Sequence, residues 1–263
     1  MKELAALRRR RNRQNSGVTL VEGYEEIDLA LRAGVRPREL YLCPALTGGS
    51  DPRDVVARAA ERGAALFSLS RQAFDKAAYR EGPDGWLAVV PDIETDLSRI
   101  EVDDHALFVV CESVEKPGNL GSMLRTADAA GVTAVISANP VTDWGNPNVI
   151  RASKGTVFAV PIASAGSDTV MDWLSRHSVN VVATTPDTDV LMADVDMTGP
   201  TAILVGSEKY GLSDRWLAGR HTKAKIPMFG QVDSLNVGVS AALFTYEAVR
   251  QRMASGRRHP SDR

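Results

Sequence analysis

The chain of 263 residues is 44% hydrophobic and 24% charged and carries a formal net charge of −2. That is enough sequence for one large domain or two small ones, and a balance so near neutral argues against a protein that grips nucleic acid by bulk charge alone. No run of about twenty apolar residues is present and the charged start lacks the apolar stretch of a secretory signal, so a cytoplasmic protein without a membrane span is expected.

In chain order, Arg8, Arg9, Arg10, Arg11 and Arg13 make residues 1–17 a basic arm, either a solvated tail or a phosphate contact. Across residues 18–91, helix and strand signals alternate. Residues 22–33 read as a helix stopped by Gly34, and 39–43 as a strand before Pro44. Residues 54–62 read as a helix ending at Gly63, and 64–69 as a strand. Ser70 caps a helix to about Tyr79, and 86–90 form a strand ending at Pro91. The alternation predicts a small α/β domain. Residues 92–105 are acidic and poor in apolar side chains, as expected of an inter-domain linker.

A second alternation fills residues 106–252. Strands are expected at 107–111, 132–137, 157–162, 179–183 and 202–205, with helices at 147–154 and 167–177. A further helix at 119–130 is capped by Asn119 and stopped by Gly131. Continuous apolar strands such as LFVV and AILV suit a parallel sheet covered on both faces. After Ile226 and Pro227 comes a polar turn, then a helix in which Val237, Ala241, Phe244 and Ala248 recur at helical spacing. Ser234 and Asn236 fall at its entrance, where caps sit, and Arg250 and Arg252 fall in its last turn, where cations suit the dipole. Residues 253–263 form a basic tail with Arg257, Arg258 and Arg263.

Cys43 and Cys111 lie in apolar runs and read as buried thiols of a cytosolic protein. His105, His177, His221 and His259 are scattered, so no metal site is expected. The turn GSEKYGLS has the glycine spacing of a phosphate loop, but Leu212 stands where the phosphate-contacting lysine is required. No G-x-G-x-x-G follows a strand, which removes a Rossmann dinucleotide site. Three glycine-containing turns follow three apolar strands, and ligands of open α/β sheets gather at that edge. The polar residues they leave without a structural role are Asn119, Arg125, Glu208, Ser234 and Asn236. That set holds neither a hydrolase triad nor a glycosidase carboxylate pair.

Three segments, PGNLGSMLRTADAAGV, LVGSEKYGLS and IPMFGQVDSLNVGVSAA, resemble in order and spacing the three motifs of the SpoU, or TrmH-like, RNA ribose 2′-O-methyltransferases of the SPOUT superfamily. Residues 146–162 share the family's look, and residues 18–91 resemble the N-terminal RNA substrate-binding domain of members acting on large-subunit ribosomal RNA. The resemblance implies an α/β SPOUT domain with a parallel sheet and a deep trefoil knot, plus a small α/β domain like a ribosomal protein. It implies S-adenosylmethionine as methyl donor, RNA (23S rRNA) rather than DNA as substrate, and a homodimer. Cofactor contacts would come from Leu204, Gly206, Ile226, Met228, Leu235 and Asn236. Arg125 aligns with the arginine assigned to activating the ribose hydroxyl, with Asn119, Glu208, Ser234 and Asn236 around it; Arg151 and Ser153 would join the basic arm as RNA contacts. A transfer-RNA methyltransferase and a non-catalytic SPOUT-fold RNA-binding protein are the alternatives.

Overall fold

The computed structural model describes residues 2–79 and 81–256. Contacts divide the chain into two units, Met1–Ile93 with Asp143–Ala159, and Glu94–Thr142 with Val160–Arg263, so the chain passes between them three times. Among the described residues no helix is long and apolar enough to cross a membrane.

The first unit opens with two short helices, α1 (Lys2–Ala6) and α2 (Arg10–Ser16), where the sequence suggested an arm. Leu4 and Leu7 explain why: both are buried in a core with Val18, Leu20, Phe74 and Leu87. Gly17, left-handed at φ 62°, ends α2 and turns the chain into β1 (Val18–Glu22). That strand takes Glu22 from the expected helix, which begins instead at Tyr24 as α3 (Tyr24–Arg32). There follow β2 (Glu39–Leu42), α4 (Pro44–Thr47), α5 (Val55–Glu61), β3 (Ala65–Ser68), α6 (Arg71–Ala77) and β4 (Trp86–Pro91). Ser70 caps α6 as expected, accepting from the Ala73 amide. The sheet order is β1-β4-β2-β3, with β4 antiparallel to both neighbours and β2 parallel to β3.

The second unit holds β5 (Leu107–Glu112), α7 (Pro117–Ala130) and β6 (Ala134–Ala138). Residues 92–105 are less of a linker than their composition suggested: Leu97 and Ile100 are buried in this unit's core, and the Ser164 amide donates to the Thr95 carbonyl. Helix α7 starts two residues earlier than expected, because Pro117 supplies a preset φ at its first position. Lys116 is therefore the cap position and Asn119 lies inside the helix with its side chain free for other work.

Next in the chain comes α8 (Pro147–Ala152), capped by Asn146. The segment Asp143–Ala159 belongs to the first unit, although the sequence placed it in the second alternation. Thr19 donates to the Gly145 carbonyl at 2.5 Å, and Gly155 packs so closely on α3 that a Cβ there would lie 3.1 Å from the Glu26 backbone. The strand expected at 157–162 is a 3-10 turn, Thr156–Phe158; Pro161 has no amide to pair, and ladder pairing begins one residue later.

The second unit resumes with β7 (Ile162–Ala165), α9 (Ser167–Arg176), β8 (Asn180–Thr184), β9 (Thr201–Val205), α10 (Asp214–Leu217), β10 (Thr222–Ala224) and α11 (Val237–Ala254). Its six strands run in the order β10-β8-β9-β5-β6-β7, all parallel. Strands β5, β6 and β9 are buried at every position, as their unbroken apolar runs require. Helix α11 packs on α7 and β9, burying Ala241, Phe244 and Ala248. Gly238 makes that approach close, since a Cβ there would stand 3.3 Å from the Ser122 side chain. At the other end, the Arg252 guanidinium donates to the carbonyls of His105, Ala106, Met197 and Gly199 and ties α11 to the loops beneath it. Arg257, Arg258 and Arg263 lie outside the described residues.

Candidate active site

The loops after β5 and β9 meet at the C-terminal edge of the parallel sheet, and a carboxylate from each grips the other. Glu208, in the turn after β9, accepts from the Asn119 side-chain amide at 2.5 Å and from the backbone amides of Lys116 and Glu115 at 3.3 and 3.4 Å. Glu112, the last residue of β5, is buried and accepts from the Ser213 amide at 2.8 Å and its hydroxyl at 2.7 Å, where the turn ends. Ser167 completes the second grip, donating to Glu112 at 3.2 Å and accepting from the Trp216 indole at 3.2 Å.

The turn between these anchors has no room for variation at its start. A Cβ at Gly206 would overlap the backbone of Gly211 and Leu212. Ser207 and Gly211 exchange both backbone hydrogen bonds, and Gly211 is left-handed at φ 66°.

Asn119 carries the network to the third loop. Its side-chain oxygen accepts from the Asn236 amide at 3.0 Å, while the Asn236 oxygen caps α11 by accepting from Gly238 and Val239. Glu208, Asn119 and Asn236, one from each of the three motifs, thus form one chain of hydrogen bonds. Burial pushes the Glu208 carboxyl upward, but its own amide, Asn119 and the Glu115 and Lys116 amides outweigh this and hold it below the usual carboxylate range. An ionised carboxylate sits at the sheet edge at neutral pH.

Between β10 and α11, no hydrogen bond joins the backbone of residues 226–235 to any other described group. Ile226 and Met228 are half-buried there, and Leu235 is 37% exposed. The other residues of the segment are exposed, and an accessible stretch with free amides and carbonyls is what an adenine edge and an amino-acid moiety need in order to be held by backbone. Leu204 differs: its side chain is fully buried in the core. Ser234 is exposed with no hydrogen bond among the described residues, and Asn236 is the cap. Arg125 lies on the exposed side of α7, one turn beyond Ser122, and its side chain has no partner among the described residues. The structure does not join it to the Glu208 chain.

In the first unit, the cations first read as RNA contacts separate into two kinds. Arg13 is buried, donating to both oxygens of Asp143 at 2.8 Å and to the Leu7 and Arg8 carbonyls at 3.1 Å. It is a structural clamp between α2 and the 143–159 segment, and no phosphate can reach it. Arg8 donates to the carbonyls ending α6 and stands over the Tyr79 ring, and Arg10 lies 3.9 Å from Asp143. Arg9, Arg11 and Arg151 are exposed with no side-chain partner among the described residues. Ser153 is fully buried, its hydroxyl donating to the Ile150 carbonyl, which removes it as an RNA contact.

Both cysteines are buried, and burial pushes the Cys111 thiol up to about 12, so it is no nucleophile. Among the described residues no group of His, Cys, Asp and Glu could hold a metal ion. Glu112 and Ser213 escaped the sequence reading. The signal available was position only: each is a polar residue at the junction of an apolar strand or turn with a glycine-containing motif.

The model of the SpoU rRNA Methylase family matches residues 106–246, and that of the MRM3-like substrate binding domain matches residues 1–88. A 23S rRNA (uridine(2479)-2′-O)-methyltransferase of Streptomyces viridochromogenes is 34% identical over 96% of this chain and 89% of its own length. The crystal structure of an RNA 2′-O ribose methyltransferase is 40% identical with a TM-score of 0.83, covering 96% of this chain and 95% of that one. The SpoU methyltransferase AviRb of Streptomyces viridochromogenes, solved with the cofactor AdoMet, is 30% identical with a TM-score of 0.85, covering 96% and 98%. With its parallel sheet, its three linked motif loops and these matches along nearly its whole length, this chain belongs to the SpoU rRNA methylase family.

Proposed function

We propose that this chain is an S-adenosylmethionine-dependent RNA ribose 2′-O-methyltransferase acting on 23S ribosomal RNA, as a cytoplasmic homodimer. The observation that carries the reading is the Glu208–Asn119–Asn236 chain, set at the sheet edge beside the free backbone of residues 226–235. That backbone, through Ile226, Met228 and Leu235 together with Gly206, would hold the adenosine and methionine portions of the cofactor. Leu204, fully buried in the core, would make no direct side-chain contact with them. The bound cofactor supplies an electrophilic methyl group on a cationic sulfonium. Glu208, kept ionised, favours that cation electrostatically and fixes two of the three loops.

The ribose hydroxyl is a weak nucleophile, so positioning and stabilisation of developing alkoxide charge matter most. Arg125 takes that role. A guanidinium stays protonated in nearly every setting, which makes it a donor that orients and stabilises rather than a base; an RNA phosphate receives the proton. Ser234 and Asn236, on the loop that enters α11, would meet the ribose from that loop. DNA, lacking the 2′-hydroxyl, cannot be the substrate.

The match of residues 1–88 to a substrate-binding domain supports ribosomal over transfer RNA. Arg9, Arg11 and Arg151 are among the exposed cations of that unit and would meet phosphates. Val239, Leu243 and Tyr246 form an exposed apolar stripe at i, i+4 and i+7 on α11, which suits burial against a second copy. The trefoil knot belongs to the same proposal; the thin entrance of α11 at Gly238 is compatible with it.

The test is methyl transfer from labelled S-adenosylmethionine to deproteinised 23S rRNA, with transfer RNA in parallel, followed by mapping of alkali-resistant riboses. Label on a small number of 23S riboses is expected. Label confined to transfer RNA would replace the substrate, and cofactor binding without transfer to either RNA would make the chain a binding protein.

A further inference from the structure

The turn that presents Glu208 to the network also carries two side chains the network does not use. Lys209 and Tyr210 are both exposed, Tyr210 at 75%, and the Lys209 ammonium stands 4.7 Å from the centre of the Tyr210 ring. The turn beneath them is held at every point. Gly206 admits no side chain, Ser207 and Gly211 are paired through both backbone bonds, and the Tyr210 amide donates to the Ser207 hydroxyl at 3.1 Å. Glu208 grips the opposite loop, and Ser213 is gripped from it by Glu112.

A large ring left three-quarters in water on a rigid turn adds little to folding, since it removes little apolar area from solvent. Lys116, whose backbone amide donates to Glu208, is exposed as well, so the loop facing this turn carries a second lysine. An exposed aromatic ring with an ammonium group at it is the chemistry that holds unpaired nucleotides, with bases stacking on the ring and phosphates meeting the cation.

We propose that Tyr210 stacks on an unpaired RNA base beside the ribose presented to the site, with Lys209 and Lys116 on the flanking phosphates. This rests on the methyltransferase reading and adds the residue by which the site selects loop nucleotides over helical ones. Stacking is worth about tenfold to a hundredfold in affinity per base. In Tyr210→Ala, KM for deproteinised 23S rRNA should rise by that factor while kcat, cofactor affinity and melting temperature stay near wild type. Tyr210→Phe, which keeps the face, should behave as wild type, and Lys209→Ala should lower the salt slope of RNA binding by about one contact.

A direct measurement keeps this separate from catalysis: fluorescence anisotropy of a labelled hairpin with a large unpaired loop, against a fully paired duplex. Loss of the preference for the loop in Tyr210→Ala supports the proposal even if the wild type transfers no methyl group, in which case only the methyltransferase reading fails. An unchanged loop preference and KM in Tyr210→Ala overturns it. So does Tyr210→Phe as defective as Tyr210→Ala, or a changed sedimentation coefficient with RNA affinity intact, which would place the ring in a protein interface.

Discussion

Asn119→Ala should uncouple the three loops at their centre. The side chain is 8% exposed and makes two bonds, donating to Glu208 at 2.5 Å and accepting from Asn236 at 3.0 Å. A bond to a charged group is worth about 1.5–3 kcal/mol and a neutral one about 0.5–1.5. Glu208 is only half-buried, so water recovers part of the first when Asn119 is removed. The expected loss is therefore about 2 kcal/mol rather than the full sum. At about 2–4 °C per kcal/mol for a domain of this size, melting should fall by about 4–8 °C. Calorimetry is the suitable assay, because two units need not unfold as one transition and the relevant one is that shifted by S-adenosylmethionine. A double-mutant cycle with Glu208→Ala isolates the pair, and a coupling of about 1–2 kcal/mol is expected. Additivity within about 0.5 kcal/mol, with cofactor affinity unchanged in Asn119→Ala, would refute the view that this chain of bonds holds the loops.

The Glu208 carboxyl is depressed in the folded state, so its bonds contribute stability above the ordinary carboxylate pKa and lose it as pH falls through the lower, folded value. Wild type should thus lose more stability than Glu208→Gln on acidification below about pH 5, and parallel acid limbs would show that the carboxylate is not held by these donors. Arg125→Ala should leave stability within about 0.5 kcal/mol, since the side chain is exposed and unpartnered. Methyl transfer by that variant should fall about a hundredfold to a thousandfold with cofactor affinity intact. Arg125→Lys should rescue poorly if the planar donor matters, whereas recovery growing with pH would restore a general-base role. Arg13→Ala breaks a buried pair with Asp143 and should destabilise by about 3 kcal/mol. Arg9→Ala and Arg11→Ala should leave stability unchanged and each reduce the salt slope of RNA binding; an unchanged slope would return them to the solvated surface.

Local chemistry made much of the fold legible. Gly34, Gly63 and Gly131 all adopt positive φ where the sequence placed helix ends, because only glycine takes that conformation without strain. The buried strands β5 and β9 follow from unbroken apolar runs, and the buried face of α11 from helical spacing. The motif order was sufficient to nominate Asn119, Glu208 and Asn236. It did not say that they bond to one another. Asn119 and Glu208 stand 89 positions apart and Arg13 and Asp143 stand 130 apart, and no periodicity or cap reports a pairing at such a distance. The same reason explains the misread elements. A run of arginines looks solvated until Leu4 and Leu7 find a core beneath it and one guanidinium finds a carboxylate from another part of the chain. Pro117 moved Asn119 off the cap by a local preference, but only the arrival of Glu208 and Asn236 beside it turned the released amide into the hub of the site.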